Sequence, residues 1–125
     1  MASILAKVWH SPRAGLQPNK IADSVIRVSS PVETIEAGDH PARFPVALCD
    51  HIYRSFANPN ERIYEPFCGS GTAIIACERF GASCYGMELA PDYVDVAVRR
   101  WQDFTGQKAV HAKTGQTYAE RAALV

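Results

Sequence analysis

Residues Tyr64–Ala73, "YEPFCGSGTA", predict a strand that leads into a tight turn with two glycines. The stretch Tyr64–Phe67 is extended in character, because its aromatic residues favour strands and its proline is tolerated at a strand end but not inside a helix. Gly69 and Gly71 can adopt positive φ, and without a Cβ they let a ligand approach the backbone closely. The turn is therefore a candidate binding site.

A buried helix is predicted directly after this turn. The residues "TAIIACERF", which begin at Thr72, are apolar on nearly every side, and Gly81 follows them as a helix C-cap. The first N–H groups of a helix have no partner within the helix, so they can point at a polar ligand in the turn.

Two phosphate-binding motifs do not fit the turn. No Gly-Lys pair occurs in the chain, which excludes the P-loop motif and argues against a nucleoside triphosphate. A dinucleotide fingerprint needs a further glycine where the chain has Ile74. The second predicted strand, Ser83–Leu89, carries Glu88 near its end, where one carboxylate can accept hydrogen bonds from both hydroxyls of a ribose. The pattern indicates a nucleoside ligand without a pyrophosphate, and S-adenosylmethionine (AdoMet) meets that description.

Three blocks of the sequence resemble the amino-group DNA methyltransferases, which modify adenine N6 or cytosine N4. The blocks are "HPARFP" (40–45), "EPFCGSGT" (65–72) and "GMELAPDYVDVAVRRW" (86–101). Their order and spacing are similar to the carboxyl-terminal half of the subgroup in which the AdoMet-binding blocks follow the catalytic block. The resemblance implies an α/β, Rossmann-like class I AdoMet-dependent methyltransferase fold, with a partial parallel sheet flanked by helices. Glu65 departs from the aspartate more usual in the second block.

The resemblance implies AdoMet-binding roles for residues in all three blocks. Glu65 suits the ammonium group, Ser70 and Thr72 suit the methionine carboxylate, and the first block covers the methionine end of the cofactor. The predicted cofactor-binding residues are His40, Pro41, Phe44, Glu65, Phe67, Gly69, Ser70, Gly71, Thr72, Glu88 and Leu89.

Simpler structural roles remain open for several of these residues. Phe67 and Leu89, which flank the adenosine in the resembling family, could equally be core residues. The alternatives are a surface ion pair for Glu65, a helix N-cap for Thr72 and a turn position for His40. Arg99 and Arg100 are expected on a solvated helix face rather than in contact with nucleic acid.

The catalytic loop of the resembling enzymes, [DNS]-P-P-[YFW], has no counterpart, because the chain contains no Pro-Pro dipeptide. No catalytic residue is assigned. One hypothesis is the cofactor-binding portion of a site-specific DNA methyltransferase of a restriction-modification system, which acts on double-stranded DNA with a flipped base. A separate catalytic half or a homo-oligomer would then complete it. The alternative is a non-catalytic AdoMet-binding remnant or subunit. The choice between adenine and cytosine stays open.

The chain divides into three predicted regions: a loop-rich, basic arm at 1–39, a methyltransferase core at 40–106, and a tail at 107–125. The arm holds one strand-like run, Ser24–Val28, and the tail a predicted strand near Ala109–Ala112 and a short helix. Parallel strands joined by right-handed crossovers are expected in the core, with an unpaired flank on the first strand.

Two amphipathic helices complete the predicted core. The first has apolar residues at helical spacing and must pack on the sheet; they are Pro45, Leu48, Cys49, Ile52, Tyr53 and Phe56. The second begins near Pro91, with Asp92 complementing its dipole, and ends at Gly106. Its inward stripe is Val94, Ala97, Val98, Trp101 and Phe104.

Composition bounds the environment of the protein. The formal net charge is +0, which argues against strong sequence-independent DNA affinity. No apolar run is long enough to cross a membrane and no signal peptide is evident, so a cytoplasmic protein without a membrane partner is expected. The four cysteines show no C-x-x-C spacing and are expected to be structural thiols, with neither a metal nor a disulfide.

Overall fold

A computed structural model of the chain describes residues 2–6, 25–28 and 43–124. Its elements alternate between strands and helices, in agreement with the predicted α/β class. They are β1 (Ala2–Ala6), α1 (Val46–Phe56), β2 (Arg62–Glu65), α2 (Thr72–Phe80), β3 (Ser83–Glu88), α3 (Pro91–Thr105) and α4 (Tyr118–Ala122). None of the helices in these described ranges has the length and apolar character needed to span a membrane.

The sheet has three strands in the order β1-β3-β2. β2 and β3 are parallel, with Arg62 opposite Ser83 and Glu65 opposite Gly86, which confirms the predicted parallel pair. Because parallel strands end at the same edge of a sheet, the residues that follow β2 and β3 lie close together there. Within the described sheet β2 is the strand beside β3 at one edge, and the unpaired flank of this strand stays a prediction.

The third strand, β1, was not predicted. It pairs antiparallel with β3, from Ala2 opposite Glu88 to Ala6 opposite Cys84. The predicted strand Ser24–Val28 is wrong over Val25–Val28, which forms a bend and irregular chain, while Ser24 lies outside the described residues. Strand propensity needs a partner strand to take effect, and β1 and β2 already occupy both flanks of β3.

Helix α2 forms the centre of the core. Its residues from Thr72 to Cys77 are all buried, and Ile74 and Cys77 are among the largest fully buried side chains. The helix ends at Gly81 with φ 94°, as its C-cap glycine predicts.

Helix α1 was expected to pack on the sheet, but it packs chiefly against α2. The rings of Tyr53 and Phe80 have centroids 6.1 Å apart, and Asp50 pairs with Arg79 at 3.0 Å. The buried face of α1 is Val46, Cys49 and Tyr53, whereas Ile52 and Phe56 of the predicted stripe are exposed. The predicted stripe was too wide because, among the described elements, α1 packs chiefly against the single helix α2.

Helix α3 begins and ends where its sequence predicts. Pro91 occupies the first turn, Asp92 is its acidic first-turn residue, and Gly106 caps the carboxyl end with φ 70°. Ala97 is buried and Trp101 packs against the core, while Phe104 is exposed. The tail contributes an isolated bridge between Val110 and Thr117 and the short helix α4, which opens with a capping box of Thr117 and Glu120.

Helices α2 and α3 approach each other closely at Gly71. A Cβ on Gly71 would come within 2.8 Å of the Ala97 Cβ, and its φ is +82°. We therefore expect Gly71→Ala to lower the free energy of unfolding by about 3 kcal/mol, through a left-handed backbone and a steric overlap together. Urea unfolding followed by far-ultraviolet circular dichroism measures this change.

Gly106→Ala is the matched control for Gly71→Ala. Gly106 has a similar φ of +70°, and nothing lies within 4 Å of a Cβ built there. Its substitution should cost about 1–2 kcal/mol, from the backbone alone. Equal losses in the two variants would contradict the packing of α3 against the turn.

Candidate ligand site at the ends of the parallel strands

The glycine turn, residues 68–71, lies where β2 and β3 end and where α2 begins. The Cys68 N–H donates to the Met87 carbonyl at 2.9 Å, and the Gly71 N–H donates to the Cys68 carbonyl at 2.9 Å. Gly69 and Gly71 have φ of +52° and +82°, so both adopt the positive φ that the sequence predicts. The turn is thus held directly against the tip of β3.

The Glu88 carboxylate connects this turn with the loop between β3 and α3. One oxygen, Oε2, accepts from the Gly69 N–H at 2.7 Å. The other, Oε1, accepts from the N–H groups of Leu89 and Ala90 at 2.8 and 2.9 Å. Glu88 therefore braces the glycine turn against the loop that precedes α3.

Two large apolar side chains adjoin this carboxylate in sequence and are exposed. Phe67 is 86% exposed and Leu89 is 80% exposed, which excludes the core role that the sequence left open for them. Exposed apolar surface at the end of two strands is available to a flat apolar ligand.

Glu65 ends β2 beside them and forms a turn contact. Its Oε1 accepts from the Phe67 N–H at 2.9 Å. This bond fixes the direction in which the chain leaves β2 toward the glycine turn. The carboxylate is half-buried at the same sheet edge as Glu88.

Ser70 and Thr72 are both buried, with 4% of their surface exposed. Neither is the N-cap of α2, because that position is Gly71 and no side chain caps the helix there. Their oxygens instead face Arg100 of α3. Its Nη1 donates to the Ser70 carbonyl at 2.7 Å and to the Ser70 hydroxyl at 3.1 Å, with the Thr72 hydroxyl at 3.5 Å.

The expectation that Arg100 lies on a solvated face is therefore wrong, whereas Arg99 is exposed as expected. Ala97 and Arg100 are three residues apart and share a helix face, and Ala97 is the residue that α3 places against Gly71. Because the approach of Ala97 to Gly71 is seen only in the structure, the sequence alone does not place Arg100 at the turn.

The thiol of Cys68 lies under the glycine turn. A Cβ on Gly86 would come within 2.9 Å of the Cys68 Sγ, so β3 needs a glycine at this point. Burial, together with the nearby carboxylates of Glu65 and Glu88, raises the pKa of the Cys68 thiol to about 12. All four cysteines are buried, as expected for structural thiols.

The first predicted block is only partly visible. His40 and Pro41 lie outside the described residues, and Phe44, two residues before α1, is 44% exposed. The structure thus brings together Glu65, Phe67, Gly69, Ser70, Gly71, Thr72, Glu88 and Leu89 at one sheet edge, while the contribution of the 40–45 block stays a prediction.

Fold and site together define a class. Parallel strands, a glycine turn, an uncapped helix N-terminus and an acid at the tip of the next strand are typical of Rossmann-like α/β proteins that bind nucleosides. The chain belongs, more particularly, to the N6/N4 methyltransferase family described as DNA methylase, whose family model matches residues 4–99.

Several curated relatives are type II methyltransferases. M.Cfr9I of Citrobacter freundii is 39% identical over 66 residues, which cover 53% of this chain and 22% of that protein. M.ScaI of Streptomyces caespitosus is 34% identical over 67 residues, which cover 54% of this chain and 22% of that protein. The chain thus matches about a fifth of the length of these relatives.

A solved structure is also similar. TTHA0409 of Thermus thermophilus, assigned as a DNA modification methylase and crystallised with S-adenosyl-L-methionine, is 30% identical, with a TM-score of 0.48. The match covers 59% of this chain and 28% of that one.

Proposed function

We propose that this chain is the AdoMet-binding portion of a DNA methyltransferase that modifies adenine N6 or cytosine N4. Membership of the DNA methylase family supports methyl transfer as the reaction and DNA as the substrate. The relatives' names add the setting of site-specific, type II modification.

The observation that carries the proposal is the position of the Glu88 carboxylate. It ends β3 and bonds the Gly69 N–H of the glycine turn at 2.7 Å. A ribose diol donates two hydrogen bonds, and a carboxylate at this strand tip is the group that accepts both. A pyrophosphate has no corresponding cradle, since Ile74 replaces the third glycine of a dinucleotide motif.

The carboxylate, ammonium and adenine groups of AdoMet also have complementary groups on this chain. The N-terminus of α2 has no side-chain cap, and its N–H groups and dipole favour an anion such as the methionine carboxylate. Glu65 supplies a negative charge for the ammonium group at the same sheet edge. The exposed side chains of Phe67 and Leu89 offer apolar surface for the adenine. In this proposal His40, Pro41 and Phe44 cover the methionine end.

Bound AdoMet would supply a methyl group on a sulfonium, which is a good leaving group. The residues of this chain would bind and orient the cofactor, and orientation is a large part of what such a transfer needs. A flipped base must also be held, and the [DNS]-P-P-[YFW] loop that does so in the resembling enzymes is absent from this sequence. Catalysis therefore requires a further polypeptide or segment that carries the loop.

The second candidate function is a non-catalytic AdoMet-binding remnant or subunit. The absence of a Pro-Pro dipeptide favours it. The two candidates share the cofactor site and differ only in whether a catalytic half exists for it to serve.

Calorimetric titration with AdoMet tests the cofactor site. We expect the chain to bind AdoMet saturably and Glu88→Gln to bind it at least tenfold more weakly, because hydrogen bonds to a charged acceptor contribute about 1.5–3 kcal/mol. Asp103→Asn, an exposed carboxylate of α3 near its carboxyl end, is the control and should bind as the unaltered chain does. Undiminished binding by a folded Glu88→Gln chain would contradict the proposed role of Glu88.

Transfer of a labelled methyl group from AdoMet to double-stranded DNA separates the two candidates. The chain alone should give no incorporation above the protein-free blank, because it lacks the loop that holds the flipped base. Adding a polypeptide that carries a [DNS]-P-P-[YFW] loop and the remaining core of a family member should produce incorporation, and Glu88→Gln should lower it. Efficient transfer by the chain alone would contradict the proposal, and no transfer with any such polypeptide would favour the remnant.

A further inference from the structure

One guanidinium group connects α3 with the glycine turn. The Nη1 of Arg100 donates to the carbonyl and the hydroxyl of Ser70, at 2.7 and 3.1 Å, and it lies 3.5 Å from the Thr72 hydroxyl. These oxygens flank Gly71, the N-cap of α2. A single side chain thus fixes the turn on both sides of the helix N-terminus.

The backbone of α3 is well placed to hold this side chain. Ala97 is 1% exposed, and a Cβ built on Gly71 would lie 2.8 Å from the Ala97 Cβ. Arg100 follows one helical turn later on the same face. The close approach at Gly71 therefore sets the distance from which Arg100 reaches the carbonyl and the hydroxyl of Ser70.

The charge of Arg100 bears on which ligands the turn favours. The N-terminus of α2 already carries a partial positive charge from the helix dipole, and Arg100 places a full positive charge beside it. Two positive groups at one position raise the affinity for an anion more than either does alone. The Ser70 hydroxyl accepts from Arg100, so its own hydrogen stays available to an acceptor.

We propose that Arg100 is a positioning residue for the carboxylate end of the cofactor. It holds Ser70 and the turn in the conformation that receives the carboxylate, and it adds positive potential there. The inference rests on the proposed AdoMet site. It assigns Arg100 to the aminocarboxylate of the ligand, whereas Glu88 is assigned to the ribose of its nucleoside.

The hold on the turn is tested without any ligand. Backbone amide hydrogen exchange of residues 69–72 should be about tenfold faster in Arg100→Gln than in the unaltered chain, because the bonds that fix Ser70 are lost. Arg99→Gln is the matched control, since its exposed side chain is the neighbouring arginine of the same helix. Unchanged exchange at residues 69–72 in Arg100→Gln would overturn the proposal, whatever the ligand results.

The ligand preference is tested with two nucleosides. AdoMet has an aminocarboxylate, and 5′-methylthioadenosine has the same adenosine and a thioether without it. We expect Arg100→Gln to weaken AdoMet binding about tenfold and 5′-methylthioadenosine binding less than twofold, with Arg100→Lys falling between Arg100→Gln and the unaltered chain for AdoMet.

A purely structural role for Arg100 would weaken both nucleosides equally, and that result would overturn the proposal. Failure of the proposed function has a different signature. If the unaltered chain binds neither nucleoside, the AdoMet site is refuted, and Arg100 as a positioning residue for the cofactor falls with it. The hydrogen-exchange result would then still show whether Arg100 fixes the turn.

Discussion

Hydrogen bonds from backbone N–H groups to the Glu88 carboxylate are the constraint on which the site depends. They reach the Gly69 N–H on one side and the N–H groups of Leu89 and Ala90 on the other, so the glycine turn and the loop before α3 are held at a fixed separation. These two loops in turn position the start of α2 and the start of α3. They also place the exposed side chains of Phe67 and Leu89 at the same edge of the sheet. An amide could not replace this carboxylate, because only one of its two terminal atoms accepts hydrogen bonds. Its NH₂ group would face a backbone N–H, which is also a donor, on one of the two sides.

The sheet supports this site, but its edge strand β2 carries exposed residues. β3 lies between an antiparallel partner, β1, and a parallel partner, β2, while β2 ends the described sheet. On β2, Tyr64 is 64% exposed, and its hydroxyl donates to the Met87 sulfur at 2.9 Å. An unpaired strand edge is normally covered in native proteins. The part that matches this chain covers 22% of each of these two relatives, and the proposed catalytic half would be the natural cover for β2.

Much of the fold could be predicted because its signals are local. Gly71, Gly81 and Gly106 mark helix ends through positive φ, and the acid at the tip of β3 follows from the strand–turn–helix pattern. Contacts between distant segments could not be predicted in the same way. β1 was missed because its partner strand, β3, lies far along the sequence, and Arg100 was misplaced because its partner, Ser70, is likewise distant in sequence. Ile52 and Phe56 were predicted to be buried but are exposed. Their amphipathic spacing is helical, but the face of α1 that packs against α2 is narrower than the apolar stripe.

Residue-resolved mapping of AdoMet on the chain tests the central claim most directly. In ¹H–¹⁵N correlation spectra recorded during a titration, the amide signals of Gly69, Leu89 and Ala90 should shift together and saturate, because a ligand that shares the Glu88 carboxylate alters the bonds these groups donate. The signals of the tail around Val110 and Thr117, which belong to a separate bridge, should stay in place. Saturable shifts elsewhere with none at these three amides would contradict the assignment of this strand edge as the cofactor site.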